Sequence, residues 1–410
     1  MYARVNPQRQ QSAITAHEAY MRRRRTRRGY RFEDVVHADN FIHVFKRLKR
    51  DAGQAPGPDG VRFRELGPRE AAEWMRHLAR TVRDGTFETG GRREIQLDKP
   101  DGGTRTIRIR WLLYRVLAAA LQEALDPILD PVFLDHSYGF RRKQNIQKLI
   151  AQLLHDVEQQ GLWCVVQDDV RKAFDNVDVA ALLVDVRRHV KCSRTLAVLE
   201  KMLRAEAECD VAWDGIGIDQ GNAISPMCLN VRLHWAHDRI VEASEEFPSW
   251  YRYADNLLYA VRDVREGERL LRRVRCLFEP TEFSLKGMTD GGITNLRAGE
   301  TLNALGFSIR WTREGWEFNP SKEAWDALDE SLIRSHRTET PSSNALAAVR
   351  SWIAFNGPAF TERGTPEFAA RVLAAAAHSG VGEIGTASEV AAWMHDAHSS
   401  WVEVTNAVSS

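Results

Sequence analysis

Two aspartates stand where hard oxygen ligands could converge. Asp169 closes the apolar run GLWCVVQDD, and Asp255 sits in the tight turn of WYRYADNLLYA. Carboxylates brought together from separate segments suit divalent cations such as magnesium. Two such cations about 4 Å apart can activate a hydroxyl and neutralise a triphosphate, which is what nucleotidyl transfer requires. Each acid also has a plainer reading, because Asp is common as a turn former or cap after strands and in hairpins. Lys99 and Arg105 flank the turn PDGG. A point charge and a bidentate fork suit phosphate oxygens, but composition alone reads them as solvated hairpin charges.

The elements that must position these residues follow from periodicity. GLWCVVQDDV fits a buried strand whose carboxylates emerge at its end, and SWYRYADNLLYAV fits two strand pieces around an Ala-Asp-Asn turn. Side chains alternate along a strand, so Asp168 points away from Asp169 and is set aside. REIQLDKPDGGTRTIRI alternates on both sides of PDGG, which predicts a hairpin. Helical periodicity runs through VVHADNFIHVFKRLKR, residues 70–84, WLLYRVLAAALQEALDPIL, NIQKLIAQLLHDVEQQ, residues 178–206 and REGERLLRRVRCLF. IGIDQGNAISPMCLNVRLHWAHDRIVEA passes from a turn into a long helix. Strands return around LNALGFSIRW, and residues 320–410 are dominated by helical patterns. The order predicts an α+β fold followed by an all-α tail.

Over 410 residues, a hydrophobic content of 43% allows two or three subdomains with real cores. Charge is balanced at 57 basic against 56 acidic residues, so the overall field does not announce a nucleic-acid partner. The distribution does. Arg22, Arg23, Arg24, Arg25, Arg27, Arg28 and Arg31 form a cationic stretch that reads equally as a solvated tail, and Arg272, Arg273 and Arg275 lie on a helical pattern. Cys164, Cys192, Cys209, Cys228 and Cys276 show no C-x-x-C pair and sit among apolar neighbours, which predicts reduced core residues. No apolar run is long enough to span a bilayer, and MYARVNPQRQ lacks the apolar region of a signal peptide, so a cytoplasmic location without membrane contact is expected.

Wording and order of the segments resemble the reverse transcriptases of the group II intron type and their bacterial relatives. PGPDGV, the KPDGGTRTIRI hairpin, HSYGFR at 136–141, DVRKAFD at 169–175, QGNAISP at 220–226, YADN at 253–256, LKG at 285–287 and LNALGF at 302–307 resemble that family's successive blocks. The resemblance implies a right-hand polymerase: a basic N-terminal extension over 1–32, fingers and palm over 33–311, and a helical thumb and tail over 312–410.

By the same resemblance, Asp169, Asp255 and Asn256 form the catalytic set. Asp169, the carbonyl of Val170 and Asp255 would be ligands for magnesium, with manganese as an alternative. Lys99, Arg105, Phe174, Gln220 and Gly221 would contact the nucleotide, Phe174 by excluding a 2′ hydroxyl, although a plain core phenylalanine is the competing reading. Tyr253 would support the primer end, and Lys286 could protonate the leaving pyrophosphate. Asn256 departs from the family, which has a second aspartate there. Its amide oxygen can still bind a hard cation, more weakly than a carboxylate. Ala173 stands where a bulkier residue is common.

NALAAVRSWIAFNGPAF resembles the family's thumb, where an R-x-W followed by aromatics packs on the template–primer. After it only about fifty residues remain, fewer than the DNA-binding and endonuclease domains of intron-encoded proteins need. Gln220 and Pro226 differ from the diversity-generating branch, and the retron Val-Thr-Gly motif is not visible. The expectation is a stand-alone, defence-associated enzyme that copies an RNA, a dedicated noncoding RNA, into DNA from deoxynucleotides. The alternatives are an RNA-binding scaffold with a decayed site and an intron splicing cofactor.

Overall fold

The computed structural model describes residues 31–51, 53–98, 104–207, 215–247, 249–288, 292–336, 340–381 and 384–409. The cationic stretch from Arg22 to Arg28, Lys99 and Cys209 lie outside them. Two compact units form, both discontinuous in sequence: the first from 31–98, 104–132 and 177–231, the second from 133–176 and 232–409. The residues expected to form the fingers and palm, 33–311, contribute to both units. The boundary expected between 311 and 312 falls inside a strand.

In the first unit, α1 (Ala38–Asp51) and α2 (Pro68–Asp84) are amphipathic and turn Phe41, Val44, Met75 and Leu78 inward. β1 (Arg92–Asp98) and β2 (Thr104–Arg110) pair antiparallel from Arg92↔Arg110 to Asp98↔Thr104, so the two predicted strands are present and pair, while the PDGG turn lies outside the described residues. α3 (Leu112–Leu129) lacks a polar face because it is buried on nearly every side, from Leu112 and Tyr114 through Leu121 to Leu125.

In the second unit, α4 (Ile146–Gln160) starts at Asn145, whose side chain accepts from the Lys148 amide, and stops at Gly161 with φ 69. It leads into β3 (Cys164–Asp169). The chain then returns to the first unit for α5 (Val179–Arg187) and α6 (Ser193–Ala207). The periodicity over 178–206 predicts one helical stretch. The structure breaks it at 188–192, because α5 and α6 pack against each other as separate helices.

α7 (Ser225–Leu233) runs on through a π-helical stretch, His234–Asp238, whose extra residue per turn places His237 and Asp238 in the interior. β4 (Trp250–Tyr253), β5 (Asn256–Val261), α8 (Val264–Phe278) and β6 (Ile293–Asn295) complete an antiparallel sheet of order β4-β5-β3-β6. α8 packs on it through Gly267, where a Cβ would stand 3.0 Å from the Val166 side chain.

β7 (Leu302–Ala304), β8 (Phe307–Thr312) and β9 (Gly315–Pro320) form a second antiparallel sheet. β6 and β9 do not stand out in the sequence, being short pieces fixed by their partners. α9 (Lys322–Ser335), α10 (Pro341–Phe355), α11 (Thr365–His378) and α12 (Ala387–Ser409) follow. Their apolar faces share one core with α4 and the first sheet, including Leu153, Val165, Leu258, Phe307, Leu332, Val349 and Met394.

Two sequence expectations need correction. Cys164 and Cys228 are buried, but Cys276 lies on the exposed face of α8, one step from the apolar stripe that its neighbours suggested. Trp352 of the R-x-W segment faces inward, with its Nε1 donating to the Ala324 carbonyl at 2.7 Å and its ring 4.4 Å from that of Trp325. Packing on nucleic acid is therefore not open to it. No described helix is long and apolar enough to cross a membrane.

Candidate active site

The antiparallel register of β3 and β5 runs from Cys164↔Val261 to Asp169↔Asn256. Residues directly opposite share a face, so Asp169 and Asn256 stand side by side with Cβ atoms about 5 Å apart. The Val170 amide extends the ladder by donating to the Asp255 carbonyl at 2.9 Å. Asp169, Val170, Asp255 and Asn256 thus meet at one end of the sheet, with Asp169, Asp255 and Asn256 each partly open to solvent.

Asp168 takes the opposite face and is buried. Its Oδ1 accepts from the amides of Asp169 at 2.8 Å and Gly287 at 2.9 Å. This acid locks the segment 284–287 against β3, helped by Lys286 N donating to the Asp169 carbonyl at 2.7 Å. Lys286 Nζ is left 3.8 Å from Asp169 Oδ2, in a largely exposed pair that water screens.

The turn between β4 and β5 is a two-residue loop, Ala254–Asp255, with Ala254 at φ 58. An alanine pays a steric cost there, so the surroundings must impose the conformation. Gly139 does so from one side: a Cβ on it would lie 2.2 Å from the Ala254 nitrogen. Arg252 does so from beneath. It is fully buried, and its Nη1 donates to the Ala254 carbonyl at 3.0 Å and its Nη2 to Ser137 Oγ at 2.8 Å.

A bidentate pair with Asp238, at 2.8 and 2.6 Å, neutralises Arg252. Burial acts to raise the Asp238 carboxyl, but the Arg252 charge and hydrogen bonds from Arg252 and His237 outweigh it and hold the group ionised well below the usual range. An ionised Asp238 only accepts, so His237 Nδ1 carries the proton at 2.8 Å and Nε2 accepts from the Tyr259 hydroxyl at 2.6 Å. Burial depresses the His237 pKa and keeps the ring neutral.

Asn256 Nδ2 donates to the Tyr253 carbonyl at 3.4 Å and Asp255 Oδ1 at 3.5 Å, both long contacts. Tyr253 faces Asn256 across β4 and β5 and is half-buried. Phe174 is half-buried in the short helix Ala173–Asn176, while its neighbour Ala173 is fully buried. Among the described residues no cluster of three or more His, Cys, Asp or Glu side chains gathers as a metal site. The donors at the sheet end are two carboxylates, a backbone carbonyl and an amide, all hard oxygens of the kind magnesium and manganese accept.

Gln220 and Gly221 belong to the first unit. The Gln220 carbonyl accepts from the Arg108 amide of β2 at 3.2 Å, and Gly221, at φ 96, sits 3.1 Å by its absent Cβ from Ile107. Arg105 pairs with Leu97 through the backbone. Beneath this loop lies a polar cluster that the sequence does not reveal. Arg110 Nε donates to Asp219 at 2.5 Å, and Glu206 accepts from the Tyr114 hydroxyl at 2.6 Å, the Asp219 amide at 2.9 Å and the Asn222 amide group. Burial, reinforced by the Asp219 charge, pushes Glu206 up to about 7.

Sequence reasoning also missed Arg252, Asp238 and Gly139. The available signal for Arg252 was a charge inside an apolar strand, and for Gly139 a glycine in a motif without a turn pattern.

Residues 97–286 match the family model of the reverse transcriptase (RNA-dependent DNA polymerase). The chain is 29% identical to Protein YkfC of Escherichia coli over 215 residues, covering 50% of this chain and 56% of that protein. It is 23% identical to the group II intron-encoded protein LtrA of Lactococcus lactis over 178 residues, covering 43% and 29%. Among solved structures, telomerase from Candida albicans with a telomeric RNA fragment aligns over 82% of this chain and 69% of its own at 11% identity and a TM-score of 0.40. The matches span about half, or less, of the length of these curated relatives.

Proposed function

We propose that this chain, which carries a reverse transcriptase domain homologous to those of group II intron-encoded proteins, is an RNA-directed DNA polymerase. The observation that carries the reading is the end of the β3–β5 ladder, where Asp169, Val170, Asp255 and Asn256 gather. Asp169, Asp255 and the Val170 carbonyl would hold magnesium or manganese, with the Asn256 oxygen as a weaker donor. Bound there, the cations supply charge neutralisation at the triphosphate and a more acidic primer hydroxyl.

The other roles belong to side chains. Phe174 excludes a 2′ hydroxyl by volume, Lys99 and Arg105 hold phosphate oxygens, and the backbone at Gln220 and Gly221 approaches the nucleotide. Tyr253 supports the primer end. Lys286 gives a proton to the leaving pyrophosphate, a role supported by its exposed amine 3.8 Å from Asp169 Oδ2. The finer reading is a cytoplasmic enzyme that copies a dedicated noncoding RNA in defence against phages. Its support is the sequence of the blocks, in which Gln220 and Pro226 are retained.

Purified protein given an RNA template, a DNA primer, labelled deoxynucleotides and either metal should extend the primer. Asp169→Ala and Asp255→Ala should each lose at least about a hundredfold in rate, roughly 3 kcal/mol of barrier. Smaller losses would remove both residues from the catalytic set. A wild-type protein that binds RNA but extends nothing would favour the scaffold reading, in which Asn256 marks a decayed site.

A further inference from the structure

The segment from His136 to Arg141 is tied down on both sides of one residue. Arg252 N donates to the His136 carbonyl at 2.9 Å, and Tyr138 N donates to the Arg252 carbonyl at 2.8 Å. Arg141 folds back, its Nη1 donating to the carbonyls of Leu134 and Ser137 at 2.8 Å each and its guanidinium lying 5.7 Å over the Phe133 ring. Between these anchors stands Phe140, 49% exposed and at φ 58.

Both properties run against the chemistry of a phenylalanine. An exposed ring forgoes the burial that stabilises it elsewhere, and a Cβ disfavours the left-handed backbone. Folding gains less from this ring than from a buried one, and glycine would fit the backbone better. Strained residues of this kind persist where they serve a site. Among the described residues, two of the other three non-glycine positive-φ residues, Lys172 and Ala254, lie beside Asp169 and Asp255.

Location supplies the second observation. Gly139 packs its α-carbon on the Ala254 backbone, so the Phe140 α-carbon lies within roughly 8 Å of that amide by the 3.8 Å spacing of the chain. That is about two steps along a stacked strand. Arg142 and Lys143 follow immediately and are exposed, a basic setting that suits phosphates.

We propose that Phe140 is a stacking residue for a nucleobase of the primer–template beside the Asp255 turn. This rests on the polymerase reading above. A base presents a π face whatever its identity, so the contact aligns the strand without selecting its sequence. The rigid anchors on either side fix the ring before the strand arrives, and the backbone strain is the cost of aiming it outward.

Photo-cross-linking with 5-iodouridine at successive template positions and 5-iododeoxyuridine at successive primer positions, followed by peptide mapping, tests the contact directly. A cross-link to Phe140 from positions near the primer end is expected. Phe140→Gly removes the ring and suits φ 58, so it should keep or raise Tm while weakening primer–template binding about tenfold, equivalent to about 1.4 kcal/mol. KM for deoxynucleotides should stay unchanged, and Phe140→Trp should retain wild-type binding. Wild-type extension with Phe140→Gly binding normally, or with cross-links that never map to Phe140, overturns the inference and leaves the polymerase reading standing. Wild-type protein that binds no primer–template overturns both.

Discussion

Each unit braces a loop with a buried arginine–aspartate pair, and the two pairs are balanced differently. Under the Ala254–Asp255 turn, one acid, Asp238, faces one arginine in a bidentate pair and receives a further proton donor from His237. Under the Gln220–Gly221 loop, two acids, Asp219 and Glu206, lie around the single buried Arg110, with Arg92 and Arg108 farther away at 3.7 and 3.9 Å from Asp219. The first brace is therefore charge-neutral and insensitive to pH near neutrality. The second holds a proton at Glu206 that it releases at about 7. The titratable group of the second brace is the additional buried acid, Glu206, which has no arginine of its own.

The largest effect should come from breaking the neutral pair. Arg252→Met leaves Asp238 buried with a charge that His237 alone cannot offset, and should cost about 3–5 kcal/mol in urea unfolding. The double variant Arg252→Met with Asp238→Leu should recover much of that loss, since two apolar groups of similar volume need no compensation. A double variant as unstable as the single one would show that the turn depends on the Ala254 hydrogen bond rather than on charge balance.

Next comes the titratable brace. Glu206 binds its proton more tightly in the folded chain than at its ordinary value of 4.5, so its contribution is fully present below pH 4.5 and declines as pH rises through about 7. The displacement is worth about 3 kcal/mol across that window. Urea midpoints measured from pH 5 to 8 should fall for the wild type and stay flatter for Glu206→Gln. Parallel slopes would place the proton elsewhere.

Smaller effects separate the two loops by their glycines. Gly139→Ala forces a methyl into the Ala254 backbone and should cost about 1–3 kcal/mol, with loss of primer extension as the turn shifts. Gly221→Ala meets the Ile107 γ-methyl at 3.1 Å and the Arg108 carbonyl only at 4.0 Å, and should cost about 1 kcal/mol, chiefly from its φ of 96. Equal costs would mean that the contact at Gly139 is relieved by a small shift, since of the two Gly221 alone has a left-handed backbone.

The smallest expected change is at Asn256. Asn256→Asp should preserve or raise extension in magnesium, and the wild type should be relatively more active in manganese, because an amide is a weaker hard-ion ligand than a carboxylate. Extension rates across titrations of both metals check this. Loss of activity under all conditions would instead make the Nδ2 contacts with the Tyr253 carbonyl and Asp255 the essential ones.

Much of the frame was legible in the residues. The alternation in REIQLDKPDGGTRTIRI, the apolar run before Asp169 and the aromatic strands around Asp255 are local patterns, and local patterns report the faces an element must bury. They determined β1 through β5, most of the helices and the two acids at strand end and turn. Facing of Asp169 with Asn256 was not local, because it depends on a register between strands almost ninety residues apart that only the shared core sets.

Burial of charge was not local either. Arg252 and Asp238 read as ordinary polar residues until packing removed their water, at which point each required the other. Gly139 had no assigned role until the Ala254 turn arrived from 115 residues away, and Trp352 resembled a template–primer contact until α9 covered it. The sequence by itself determined which segments could carry the chemistry. Tertiary structure decided which buried groups hold them in place, since desolvation and close contact arise only when distant segments meet.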